Sequence, residues 1–325
     1  MTNDPVPALT AIAALGLDSQ RSALIRGALA SGFLGRCRSP LSVEALSTVT
    51  GLDAGRVAGL CTVLRELGVL DEGEPGEYVL SSLYAQLFDN GVDVLATGGL
   101  QGAAVRGRIL ESLFTPLGAV DYQDLDDADR AAVAASVAVD PFSPLARQAM
   151  GAMVRLVPVW QEQFDAGGRF LELGCGLAGA LLTWLQIYPR LIVVGVDVAG
   201  DLVDSARKRA ELLGVADRAT FVTGDATLYD DPQPFDTALW SQFFFPRATR
   251  EATLANAFAR LRPGGLLVAP VLPREQFALN SLVVEAWDVP ALTAEQLAAE
   301  FESAGFRGTT VVPSPATTVV VARRP

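Results

Sequence analysis

The chain has 325 residues, half of them hydrophobic, with 37 acidic against 25 basic residues and a net charge of −12. That balance argues against nucleic-acid and membrane partners, whose anionic surfaces need a positive face, and the apolar runs, such as Leu191–Val194 and Leu266–Leu272, are shorter than the roughly 20 residues of a membrane span. Lys208 is the only lysine, histidine is absent, and Cys37, Cys61 and Cys175 form no CxxC pair, so neither a metal site nor a disulfide framework is suggested and any chemistry runs without imidazole.

In chain order, Met1-Thr-Asn-Asp-Pro lacks the basic patch and apolar run of a signal peptide, so a cytoplasmic protein is expected. Residues 1–90 read as helices followed by a compact helix-turn-helix with a wing. A short helix runs from Leu41, Gly51 breaks it, and Asp53 caps a second helix from Ala54 to Leu67, with Val57, Leu60, Leu64 and Leu67 on one face. Two strands about the turn Asp71–Gly76 follow. From Leu52 to Asn90 the basic residues Arg56 and Arg65 face seven acidic ones, so this winged-helix outline would be repelled by phosphates and suits dimerisation or substrate covering instead. Residues 91–163 read as helical, broken by the acidic stretch Asp121–Asp129, with Phe142, Met150, Met153 and Trp160 as expected core.

Arg169-Phe-Leu-Glu-Leu-Gly174 is a buried-strand pattern, and Glu172-Leu-Gly174-Cys-Gly176-Leu-Ala-Gly179 a Gly-rich turn into a helix. Glycine is needed there for positive φ and for close approach of a ligand. Leu191–Asp197 is a second strand ending in a carboxylate suited to ribose hydroxyls, and Ala219–Gly224 leads to Asp225-Ala226, where a carboxylate can accept the amine of adenine. Phe235–Ser241, a helix to Leu261, and Arg262-Pro-Gly-Gly265 turning into Leu266–Val271 continue the alternation. A helix started by Thr293 and two strands about a Pro-Ser-Pro turn end the chain. A nicotinamide-binding Rossmann domain shares the glycines, but Glu172 would repel a pyrophosphate and no His or Tyr-x-x-x-Lys stands beside a hydride.

Over residues 168–272 the sequence resembles the class I S-adenosylmethionine (SAM)-dependent methyltransferases, and with its N-terminal module the small-molecule O-methyltransferases of bacterial secondary metabolism and their plant relatives. The resemblance implies an α/β fold: a Rossmann-like seven-stranded SAM-binding catalytic domain, 164–325, behind a winged-helix dimerisation domain, 1–90, and a connector, 91–163, that lines the substrate cavity. It further implies a homodimer, SAM as cofactor, and SAM contacts from Glu172, Gly174, Gly176, Asp197, Val198, Gly224, Asp225, Ala226 and Ser241. The third glycine of the family turn falls on Ala178 here. The family's catalytic histidine, shortly after the fourth strand, is missing from Trp240-Ser-Gln-Phe-Phe-Phe-Pro-Arg247. Methyl transfer is an in-line displacement that alignment alone accelerates, so a base is optional. Gln242, Glu285 or Asp288 stand as substitutes, Phe243, Phe244, Phe245 and Trp287 as walls for a hydrophobic small-molecule acceptor, and a non-methylating cyclisation or rearrangement as the alternative activity.

Overall fold

Val- and Leu-rich runs of five to ten residues, four of them leading into helices, dictate a mostly parallel sheet buried on both faces. The computed structural model describes residues 6–115, 122–272, 277–313 and 318–325. It divides into two compact units, residues 1–101 and 102–325, the division falling inside a helix.

The first unit holds α1 (Val6–Ala30), α2 (Phe33–Arg36), β1 (Leu41–Ser42), α3 (Val43–Thr50), α4 (Ala54–Glu66), β2 (Leu70–Glu72), β3 (Glu77–Leu80), α5 (Ser82–Asp89) and the start of α6 (Asp93–Ser112). Asp53 caps α4 as expected, accepting from the Arg56 amide at 2.9 Å. Val57, Cys61 and Leu64 are its buried residues, while Leu60 and Leu67 are only partly covered. The three short strands pair antiparallel in the order β1-β3-β2. Along α1 only Ala28 and Leu29 are buried, and Val6, Leu9, Ile12 and Leu15 are 60–71% exposed.

The second unit continues with α7 (Asp127–Val137), α8 (Pro144–Arg155), α9 (Pro158–Ala166), β4 (Arg169–Leu173), α10 (Gly179–Ile187), β5 (Ile192–Asp197), α11 (Gly200–Leu212), β6 (Ala219–Thr223), β7 (Phe235–Trp240), α12 (Arg247–Arg260), β8 (Leu261–Pro270), α13 (Phe277–Ala286), α14 (Ala294–Ser303), β9 (Arg307–Val312) and β10 (Val319–Arg323). Seven strands form one sheet in the order β6-β5-β4-β7-β8-β10-β9. The first five are parallel, and β10 and β9 close it antiparallel. One face packs on Trp160, Phe164 and Trp184 from α9 and α10, the other on Leu254, Leu297 and Phe301 from α12 and α14. Because the chain runs outward from β4 through β5 to β6 and then returns to β7, the β4/β7 pair is the topological switch point, and the crevice beyond their carboxyl ends is where such a sheet binds ligands.

The acidic stretch expected as a surface break is in part a helix start: Asp126 caps α7 by accepting from the Asp129 amide at 2.8 Å. Its first residue, Asp121, and Ser314, Pro315 and Thr317 of the closing turn and strand lie outside the described residues. Phe142, expected in the core, is 45% exposed, since it precedes the N-cap of α8 rather than lying on its inner face. Among the described residues no helix is long and apolar enough to cross a membrane, and no group of three or more acidic or cysteine side chains is arranged to hold a metal ion.

Candidate active site

At the carboxyl end of β4 the chain turns through Gly174 and Gly176, at φ 77° and 47°, and then Ala178 at φ 53°. A left-handed conformation is strained for alanine, and Ala178 holds it at the N-cap of α10, fully buried. A Cβ on Gly174 would lie 2.8 Å from Cε2 of Phe245, so this glycine lets the aromatic ring close over the turn. The turn is fastened to β5 by a carboxylate: Asp197 Oδ2 accepts from the Gly176 amide at 2.7 Å and Oδ1 from the Ala199 amide at 2.9 Å. Burial raises the Asp197 carboxyl above its usual value, and those two amides oppose the shift. Val198, beside it, is 56% exposed.

Glu172 lies one residue before the end of β4, buried among the strands. Its Oε1 accepts from the Ser241 hydroxyl at 3.2 Å, across the β4/β7 switch point. Its Oε2 is buried with no partner. Desolvation therefore pushes its pKa up to about 8, with Asp197 adding to the shift and Ser241 opposing it. A buried carboxylate oxygen left without a donor is costly unless something positive meets it. The ammonium of SAM's methionine part meets that requirement, and the positive-φ glycines beside it leave room for the ligand's chain, so the residues present fit the cofactor. At the third strand end Asp225 is exposed, its Oδ1 occupied by the Thr227 amide and hydroxyl at 2.8 Å each, while Gly224 donates to the Asp197 carbonyl at 2.9 Å. Ala226 is buried, its carbonyl held by Asn256 of α12 at 2.8 Å. These groups line the ends of β4, β5 and β6 in sequence order.

The stretch after β7 behaves less simply than its sequence suggested. Gln242 opens a single turn and is fully buried; its Nε2 donates to the Pro270 carbonyl at 3.2 Å and its Oε1 accepts from Arg250 at 3.1 Å, so its amide is committed at both ends. Arg250, 3% exposed, also forks onto both oxygens of Glu300 at 2.8 and 2.6 Å and covers the Trp240 ring. Glu285 is ion-paired with Arg247 at 2.6 Å, and Asp288 with the same guanidinium at 3.1 Å. Partial burial pushes the Glu285 carboxyl up, but Arg247 and the Ala291 amide together hold it below its usual value, so it is a weak base.

The three phenylalanines separate. Phe243 and Phe244 join an apolar cluster with Trp287, Val105, Ile109, Val133 and Val289, whereas Phe245 packs on Trp240 and over Gly174. Phe244 stacks on Trp287 with centroids 6.0 Å apart, and Tyr122 meets both rings at 5.0 and 5.2 Å. Tyr122 carries no motif and lies within the acidic stretch read as a surface break, which is why sequence reasoning passed it over. Burial and the nearby Asp197 raise its phenol pKa, so it stays protonated. A separate cleft, lined by Gln163, Gly168, Asp236, Arg262 and Arg323, lies where β4 and β7 begin, at the end of the strands opposite the Gly174–Gly176 turn.

Residues 170–265 match the family of the methyltransferase domain. Over those residues the chain is similar to methyltransferase domains, and as a whole it shares the fold of solved O-methyltransferase-family proteins. It is similar to the mitomycin 7-O-methyltransferase MmcR, with a TM-score of 0.73 at 16% identity over 98% of both chains. An O-methyltransferase family protein from Burkholderia thailandensis gives 0.71 at 16% identity, covering 97% of this chain and 98% of that one. By sequence it is 27% identical over 176 residues to the uncharacterized protein YjhP of Escherichia coli strain K12, covering 51% of this chain and 65% of that protein. The chain spans 40% to 65% of the length of the curated relatives it matches.

Proposed function

We propose that this protein transfers the methyl group of SAM to a hydrophobic small molecule of natural-product type, without a catalytic histidine and as a homodimer. The observation that carries the reading is the unpaired, buried Oε2 of Glu172 next to the Gly174–Gly176 turn. In this reading Glu172 meets the methionine ammonium with Ser241 steadying its other oxygen, Gly174 and Gly176 give the methionine chain room, Asp197 and Val198 hold the ribose, and Gly224, Asp225 and Ala226 receive the adenine. SAM supplies an activated methyl on a positive sulfur; the protein supplies alignment and a dry surround. Phe243, Phe244 and Trp287, with Tyr122, form the aromatic side of the acceptor site, and Phe245 closes over the cofactor turn. Gln242 acts as a positioning residue through Pro270 and Arg250, and Glu285 reaches an acceptor only by releasing Arg247. Homodimerisation is supported by the first half of α1, where Leu9, Ile12 and Leu15 are exposed.

Calorimetric titration with SAM and with its demethylated product tests the first half, and absence of binding to either would overturn it. Tritiated methyl label tests the second. The engagement of Gln242, Glu285 and Asp288 favours one further reading, a rearrangement or cyclisation that keeps SAM as a bound charge; binding without label in any product selects it.

A further inference from the structure

Cationic side chains near the aromatic cluster are nearly all neutralised: Arg108 by Asp129, Arg130 by Asp127 and Asp201, Arg247 by Glu285 and Asp288. Arg106 is not. It lies on α6 between Val105 and Ile109, both buried in the cluster that holds Phe244 and Trp287. Its Nη1 donates to the Ser136 hydroxyl on α7 at 2.7 Å, and among the described residues it forms no ion pair. The helices approach closely there, since a Cβ on Gly102, one turn before Arg106, would lie 2.3 Å from that of Ser136. Burial pulls the guanidinium below its usual pKa with no carboxylate to oppose it. A half-buried cation with one neutral partner keeps four N–H donors for something else. On α7, Val133 belongs to the same aromatic cluster, while Ala134 packs with Leu177 of the cofactor turn.

We infer that Arg106 is the specificity-determining cation of the acceptor site, and that the acceptor is an aromatic molecule bearing an oxyanion, a carboxylate or ionised acidic hydroxyl, which this guanidinium anchors while the rings of Tyr122, Phe244 and Trp287 take its flat face. This rests on the proposed function for the location of the acceptor. It also suits a chain without imidazole, because an acceptor that enters already ionised needs no protein base.

Two fluorescent probes of like shape test it in the SAM-loaded protein: anilinonaphthalene sulfonate, an aromatic anion, and N-phenylnaphthylamine, its uncharged counterpart. Trp287→Ala weakens both, which locates them in the cluster. Arg106→Gln weakens the anion by about tenfold or more, the scale of a charge-assisted hydrogen bond, and leaves the neutral probe unchanged; Arg106→Lys restores part of the loss. Ser136→Ala removes the protein partner but not the charge, and keeps anion binding within about threefold. Equal loss of both probes in Arg106→Gln, no loss of either, or a Ser136→Ala loss matching that of Arg106→Gln overturns the inference. SAM titration of each variant keeps the two readings apart: failure to bind SAM in the parent protein counts against the proposed function, and an unselective Arg106 variant that still binds SAM counts against this inference alone.

Discussion

Glu172 works against its own fold until something positive arrives. Its folded pKa of about 8 lies above the ordinary 4.5, so the folded protein holds a proton that the unfolded chain releases. The stability of the ligand-free protein is then greatest below about pH 4.5 for this group, and declines as pH rises toward 8, by a few kcal/mol in all. Glu172→Gln removes that slope: in thermal melts between pH 5 and 9 the variant loses less than the parent, while its affinity for SAM falls by roughly tenfold or more because an ammonium loses its carboxylate. Gly174 makes the complementary case. At φ 77° under the Phe245 ring, Gly174→Ala adds backbone strain and a contact too short to keep, lowering stability by about 1–3 kcal/mol in urea titrations and weakening SAM binding with it. The strand and the turn that carry both residues were legible in the sequence, because a strand, a carboxylate and a glycine turn have a fixed order. The missing donor on Glu172 Oε2 was not, since it depends on which side chains across β7 reach it.

The stretch after β7 shows how an element decides what a residue can do. Read as a string, Gln242 to Phe245 offered a polar group and three rings at a ligand-binding strand end. Folded into one turn, it sends Gln242 inward to Arg250 and parts Phe245 from its two neighbours. Arg250 joins this turn to α14 through Glu300 and stacks on Trp240. Arg250→Ala therefore leaves Glu300 and Gln242 without their partner and lowers stability by about 2–3 kcal/mol, measured by urea unfolding; under the proposed function, in which this turn bounds the acceptor, methyl transfer falls further than SAM affinity. Helix ends, by contrast, announced themselves: Thr293 caps α14 in a reciprocal pair with Gln296, and Asp53 caps α4. Such signals are local, so they survive reading without coordinates. The fate of an acidic run or a row of phenylalanines is set by tertiary neighbours and does not.

At the scale of the molecule, the sheet order follows from the alternation of strands and helices, and the closing antiparallel pair from the lack of a long helical crossover between β9 and β10. Its partner surfaces are harder to read. Val6, Leu9, Ile12 and Leu15 stand exposed along α1, and if they join two copies, Ile12→Glu combined with Leu15→Glu halves the mass in analytical sedimentation without lowering the unfolding midpoint of the unit's own core; unchanged mass argues that another surface pairs the copies. The absence of histidine has a molecular consequence as well. Few groups in such a chain exchange protons near neutrality, and among the described residues Glu172, at about 8, is a carboxyl that stands there. An ammonium beside it would return it to ordinary acidity and expel its proton into the medium. The heat of SAM binding near pH 7 should then scale with the ionisation enthalpy of the buffer, at up to one proton released per site, and Glu172→Gln should make that heat independent of the buffer chosen.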